Sequence, residues 1–299
     1  MSQLRYTVLA GPTAVGKTDL AIGIAQKLQT EIVGGDAFQL YQGLDILTGK
    51  PLAAQLLAVP HHLVGVLPLT ASCDAYKYAL LARQTISALN QRAIIPLVVG
   101  GTGFYLQALE GGIPQLPPAD LTLRAELDLV PTPDLLRDLE TRDSVAFHRV
   151  DRHNRRRIIR ALEVCILSGK PFSSFRQSNA PDPPITCLVL ERPRAALLER
   201  IDRRVDEMFE RDVVSEVAAI QAIGSTAAQA IGFQSIRSLI AGTIDISSCR
   251  DTIKRQTRTY AKRQMTWFRS RPYEFVFAGS SVDTLVAAYR RRLSEFATG

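Results

Sequence analysis

Residues 11–22 read GPTAVGKTDLAI. Gly11, Gly16, Lys17 and Thr18 fill every fixed position of the pattern G-x-x-x-x-G-K-[ST]. That spacing builds a loop whose backbone N–H groups converge on phosphate oxygens at the positive end of a helix. Thr13, Ala14 and Val15 complete the cradle, Lys17 adds a point charge, and the Thr18 hydroxyl can hold Mg²⁺. The flanks agree with this reading. RYTVLA (5–10) is a short apolar strand, and from Lys17 to Leu28 the residues Leu20, Ile24 and Leu28 recur at helical spacing.

The same alternation continues along the chain. EIVGGD (31–36) reads as a second strand ending on an acid, and HHLVGV (61–66) as a third. AIIPLVVGG (93–101) is the strongest strand signal, followed by TGFYLQALEGG, a helix stopped by glycines. ITCLVL (185–190) is a fifth strand, and from there to about residue 269 the pattern is helical. Strands alternating with helices predict an α/β fold: a P-loop-containing parallel sheet with helices on both faces and ligands at the carboxyl ends of the strands. Two stretches interrupt the alternation. GGIPQLPPAD (111–120) and KPFSSFRQSNAPDPP (170–184) are rich in Pro, Gly and Ser and read as linkers. They bracket the helical runs LTLRAELDLV, PDLLRDLE and RRIIRALEVCIL. The expected organisation is a core of residues 1–116 and 184–299 with a small helical insertion domain at 117–183. No fixed-period repeat is present.

A nucleotide-hydrolysing enzyme with such a loop also needs an acid at the end of a later strand to hold its metal. PLVVGG instead ends in glycines and Thr102; the acid at a strand end is Asp36. This weighs against an ATPase. It leaves Asp36 either a turn-forming residue or a group with a different chemical task.

The net charge of +7 and the pI near 9.4 are compatible with a polyanionic partner. The charge is concentrated in RVDRHNRRRIIR (149–160), with Arg156, Arg157 and Arg160, and in RDTIKRQTRTYAKRQMTWFR (250–269). On a helix, Lys254, Arg258 and Lys262 share one face, flanked by Arg255 and Arg263 and interleaved with Tyr260, Trp267 and Phe268. Cations can meet phosphates there and aromatic rings can stack on bases. A solvated charged face is the other reading, and the scarcity of acids within the run favours RNA. The four cysteines have no metal or disulfide spacing and read as reduced thiols. His61 and His62, being adjacent, suit hydrogen bonding rather than a metal. No signal peptide or membrane span is evident, so a cytoplasmic protein without membrane contact is expected.

Taken together, GPTAVGKT, DAFQLYQGLDILTGKP (36–51), HHL (61–63), VGGTGFYL (99–106), RALEV (160–164), AIGF (230–233) and TYAKRQMTWFR (259–269) resemble the tRNA dimethylallyltransferases (tRNA isopentenyltransferases) of bacterial type. They occur in that family's order over nearly the whole chain. The resemblance implies transfer of a dimethylallyl group from dimethylallyl diphosphate to N6 of the adenosine immediately 3′ of the anticodon, with Mg²⁺ and loss of diphosphate. It implies Asp36 as general base, Thr102 beside the reacting centre, and Arg204 on the diphosphate. Asp36, Ala37, Phe38 and Gln39 would line the pocket of an adenine flipped out of the anticodon stem–loop. Ala37 and Phe38 stand where the family has Ser and Met, and HHL runs into VGVLP rather than an acid–Pro pair. The competing readings are an adenylate isopentenyltransferase acting on free nucleotide, a small-molecule P-loop kinase, and an RNA-binding module with a vestigial loop. A monomer is expected.

Overall fold

The structure is a computed structural model that describes residues 4–111, 114, 116–175 and 183–298. Before the insertion the chain forms β1 (Thr7–Ala10), α1 (Lys17–Leu28), β2 (Ile32–Gly34), α2 (Asp45–Thr48), α3 (Ala53–Ala58), β3 (His61–His62), α4 (Ala75–Gln91), β4 (Leu97–Gly100) and α5 (Gly103–Leu109). The insertion holds α6 (Leu121–Leu129), α7 (Thr132–Arg142), α8 (Ser144–Arg149) and α9 (Arg155–Ser168). The chain then returns through β5 (Thr186–Glu191), α10 (Arg194–Glu210), α11 (Val213–Ala218), α12 (Phe233–Ile240), α13 (Ile246–Arg269), β6 (Glu274–Phe277) and α14 (Val282–Thr298). Two compact units result, residues 1–110 with 182–299, and residues 111–181. Of the two linker stretches, residues 112, 113, 115 and 176–182 lie outside the described residues.

In the larger unit six parallel strands form one sheet in the order β3-β2-β4-β1-β5-β6. β1 is central, with Leu9 opposite Val99 on one side and Leu188 on the other. Such strands are buried on both faces, which is why TVLA and TCLVL are almost wholly apolar rather than alternating. Leu9, Ile24, Leu97, Leu188 and Tyr289 belong to one continuous core. The strand order has a direct functional consequence. The phosphate loop leaves β1, Thr102 follows β4 and Asp36 follows β2, so three adjacent strands deliver all three to one edge of the sheet.

The structure extends and corrects the sequence reading in two places. A sixth strand, Glu274–Phe277, closes the sheet beyond the fifth. It has only four residues at an edge, too few for its period to stand out. Residues 219–232 are not α-helical despite their apolar content. Gly224 N–H donates to Leu69 O there, an exchange with a distant loop that a helix would forbid. His61 Nδ1–H donates to Val59 O (2.7 Å) and His62 Nε2–H to Glu31 (2.6 Å), so both imidazoles are used in hydrogen bonds.

The smaller unit is organised around a buried acid. Leu127, Leu135, Leu139, Ile158 and Leu162 make its apolar core. Glu163 sits among them at 0% exposure. It accepts from Arg124 Nε and Nη2 (both 2.9 Å), Arg160 Nη1 (2.5 Å) and Asp120 N (2.7 Å). Burial alone would raise the Glu163 pKa; the bonds from Arg124, Arg160 and Asp120 outweigh it and hold the carboxyl below the ordinary range. Its contribution to stability is therefore present above the usual carboxylate pKa and is lost as the pH falls through the lowered value. Glu163→Ala should destabilise this unit by about 3 kcal/mol, the low end for breaking a buried ion pair, because Arg124 and Arg160 can still reach water. Hydrogen exchange in the full chain provides the check: α9 amides should lose protection, and unchanged protection would contradict the assignment.

Candidate active site

The phosphate loop takes the conformation its sequence requires. Gly11 and Gly16 have φ of 150° and 104°, where a side chain would strain the backbone. Ala14 is left-handed as well, at φ 62°. Its carbonyl accepts from Arg200 Nε (2.8 Å), and the Val15 carbonyl from Arg192 Nε (2.9 Å). Lys17 Nζ donates to Gly11 O (2.9 Å) and Pro12 O (2.8 Å), arching back over the loop. Burial pulls the Lys17 pKa down to about 8; Asp36 opposes the shift and Arg204 adds to it.

One cavity of about 320 Å³ is lined by Thr13, Ala14, Gly16, Lys17 and Thr18 from this loop and by Asp36, Phe38 and Gln39 from the turn after β2. Asp36 does two things at once. Its Oδ1 accepts from Phe38 N (3.0 Å) and Gln39 N (3.4 Å), forming the turn. Its Oδ2 takes no hydrogen bond among the described residues, so one carboxylate oxygen is left for chemistry. Thr102 Oγ1 accepts from Ala37 N (3.2 Å), linking the end of β4 to the residue after the acid. Tyr260 of α13 adjoins Thr102 and lines the same cavity; burial, then the Asp36 charge, push its phenol up to about 12. Phe38 divides its surface between the cavity and the core cluster around Val205 and Phe233. Gln39 Nε2 donates to Thr48 O (3.3 Å) and Gly49 O (2.9 Å), so its amide supports the wall.

Arg204, which the resemblance puts on the diphosphate, lies on α10. It is half-buried in the cavity wall and donates from Nη2 to Thr48 O (2.9 Å). Burial lowers its pKa, with Asp36 acting the other way. Arg200 and Arg203 line the cavity on the same helix, and Arg200 is depressed by burial and then by Arg192 and Arg203. An excess of guanidinium groups thus faces the phosphate loop. Arg192 and Arg200 escaped the sequence reading; the usable signal was that Arg192 directly follows the carboxyl end of β5.

The basic residues fall into two groups. Arg255, Lys262 and Arg263 of α13 are exposed and form no ion pair among the described residues, as are Arg156 and Arg157 of α9. By contrast, Arg258 is paired with Asp202 and Lys254 with Asp206 (2.8 Å), both acids lying on α10. Arg160 is held by Glu163 and Pro117 O (2.8 Å). The acids missing from the basic run are supplied by a neighbouring helix, which the linear sequence could not reveal. Among the described residues no cluster of three or more His, Cys, Asp or Glu could hold a metal, and no helix is long and apolar enough to cross a membrane.

Comparison with known proteins adds to this geometry. Residues 39–271 match the family model described as IPP transferase, and residues 4–63 match that described as Isopentenyl transferase. The chain is 39% identical over 273 residues to tRNA dimethylallyltransferase 1 of Citrifermentans bemidjiense, covering 89% of each chain. It is 37% identical over 282 residues to tRNA dimethylallyltransferase of Geobacter sulfurreducens, covering 91% of each. The crystal structure of the full-length tRNA isopentenylpyrophosphate transferase from Bacillus halodurans superposes with a TM-score of 0.71 at 30% identity, covering 99% of both chains.

Proposed function

The chain belongs to the IPP transferase family, whose members include the tRNA dimethylallyltransferases, and from that premise we infer that it prenylates N6 of the adenosine immediately 3′ of the anticodon (tRNA position 37). The donor in this reading is dimethylallyl diphosphate. One observation carries it: the phosphate cradle after β1 and Asp36 after β2, two strands separated only by β4, line a single cavity. A kinase would have no use for a carboxylate aimed across the cradle without a second acid for the metal.

The exocyclic amine of adenine is a weak nucleophile because its lone pair is delocalised into the ring. In the proposed reaction a bond forms between N6 and C1 of the dimethylallyl group. The C1–O bond breaks, the diphosphate leaves with the electron pair, and the N6 proton passes to Asp36 Oδ2. Lys17, Arg204 and the loop amides meet the negative charge that grows on the leaving group. Thr102 and Ala37 fix the turn that carries the base. The adenine must leave its stack to reach them, at a cost of a few kcal/mol. Phe38, Leu47, Met208 and Ile253 give the cavity an apolar side suited to an unsolvated ring or prenyl group. The exposed Arg255, Lys262 and Arg263 of α13 are the cations available for the RNA backbone.

The donor atoms fit Mg²⁺. Thr18, which would hold the ion, offers a hard hydroxyl oxygen on the cavity, and Mg²⁺ characteristically completes such a set with substrate phosphates and water. When bound, the ion would neutralise charge on the diphosphate.

The deciding experiment supplies radiolabelled dimethylallyl diphosphate to the purified protein with either an anticodon stem–loop or AMP. Label is expected in the RNA and not in AMP. Label in AMP alone would make the protein an adenylate isopentenyltransferase instead.

A further inference from the structure

Between the donor side and the acceptor side of the cavity lies one buried polar side chain to which the mechanism above gives no part. Gln264, in the middle of α13, is 6% exposed. Its Oε1 accepts from Thr13 N in the phosphate loop (2.9 Å) and its Nε2 donates to Gly101 O after β4 (2.8 Å). A planar carboxamide thus bridges two loops that leave different strands. The fit allows no extra atom: a Cβ on Gly101 would stand 2.4 Å from Gln264 Nε2 and 2.8 Å from Gly11 O. One turn further along α13, Trp267 closes on the other side of Thr102, where a Cβ on Gly103 would lie 2.3 Å from its ring. Tyr260, one turn earlier, adjoins Thr102 itself. Residues 260, 264 and 267 share one face of the helix, and that face grips Gly101, Thr102 and Gly103 in succession.

Thr13 belongs to the loop that holds the leaving group, and Thr102 fixes the turn of the base through Ala37 N. We propose that Gln264 is a positioning residue that sets the separation of the phosphate loop from the Thr102–Asp36 turn, and so the distance over which N6 attacks C1. This inference rests on the transfer reaction proposed above. Gln264 lines the cavity, but both polar atoms of its carboxamide are engaged by the two loops. Its loss should therefore slow the reaction without weakening either substrate. A misplacement of about 1 Å costs on the order of 100-fold in rate. Methionine matches glutamine in length and volume but makes neither bond. Glutamate keeps the acceptor for Thr13 N–H and loses the donor to Gly101 O, placing a carboxylate against a carbonyl.

The test is single-turnover transfer to an anticodon stem–loop by Q264M and Q264E. Affinities for the stem–loop and for the unreactive thiolodiphosphate analogue of the donor are measured in parallel. The expected result for Q264M is a rate about 100-fold below wild type, with both dissociation constants within about threefold. A Q264M rate within threefold of wild type would overturn the proposal, as would equal weakening of binding and rate. If Q264M does not fold, Q264E is judged by the same criteria. Normal transfer by wild type with unaffected variants would sink the Gln264 assignment alone; absent wild-type transfer would overturn it together with the proposed reaction.

Discussion

In Asp36→Asn protein, prenyl transfer should slow by about 10²- to 10⁴-fold, the range for loss of a positioned general base, while binding of the donor diphosphate persists. The substitution is chosen on structural grounds. An asparagine carbonyl can still accept from Phe38 N and Gln39 N, so the turn after β2 survives. What disappears is the open oxygen that can carry a proton. The measurement pairs single-turnover transfer with calorimetric binding of the unreactive donor analogue. Equal losses in both would assign Asp36 to metal or donor binding and remove it from proton transfer. Neighbouring charges sharpen the expectation. Lys17, Arg204 and Tyr260 are all influenced by the Asp36 carboxylate, so the variant also unbalances the cations facing the diphosphate. Donor affinity should then rise or hold, not fall.

The second large effect concerns Lys17. Lys17→Met removes the point charge over the cradle and should lower transfer by about 10²- to 10³-fold, the usual consequence of deleting one stabiliser of developing negative charge. It also yields a pH signature. Burial holds the amine near 8 in the unliganded protein. Below that pH it is protonated and attracts the diphosphate; above it the neutral amine does not. Binding of the anion raises the pKa in the complex, so donor affinity should be flat below about pH 7 and fall by up to about tenfold per pH unit above about 8. Titration calorimetry with the donor analogue between about pH 6.5 and 9.5 reads this directly. Lys17→Met should abolish the decline while leaving the ionisation of the ligand itself in place. A decline that persists in the variant would belong to another group.

The parts of this site that were legible from the sequence share a property. The phosphate loop, Asp36 and Thr102 each sit within a few residues of a strand end, and a parallel α/β sheet collects strand ends. Fixed spacings and a short hydrophobic run therefore sufficed to bring three distant segments together. The supports of the site were not legible in that way. Arg192, Arg200 and Gln264 reach the loop across sequence separations of 177, 186 and 251 residues. None carries a local spacing that announces its target. Arg204 illustrates the same limit, since an amphipathic helix offers the same pattern whether its charged side meets water or a lined cavity. The edge strand Glu274–Phe277 was hidden by brevity, and the irregular stretch 219–232 by apolar content that a helix could also have used. The basic run 250–269 was read from its own composition, which does not show how its charges are balanced from outside.

That balance bears on helix α10. Along it, Arg200 and Arg204 turn toward the phosphate loop, while Asp202 and Asp206 turn toward Arg258 and Lys254. Cation and anion alternate every two residues, and two residues along a helix are roughly half a revolution. The rod is thus magnetised, so to speak, across its width. Slipping it by two positions would present carboxylates to the phosphate loop and guanidinium groups to an already cationic neighbour. An inserted or deleted pair of residues upstream in α10 would for that reason do more harm than its apolar face alone foretells: the wheel can turn, but only one setting of it admits an anion.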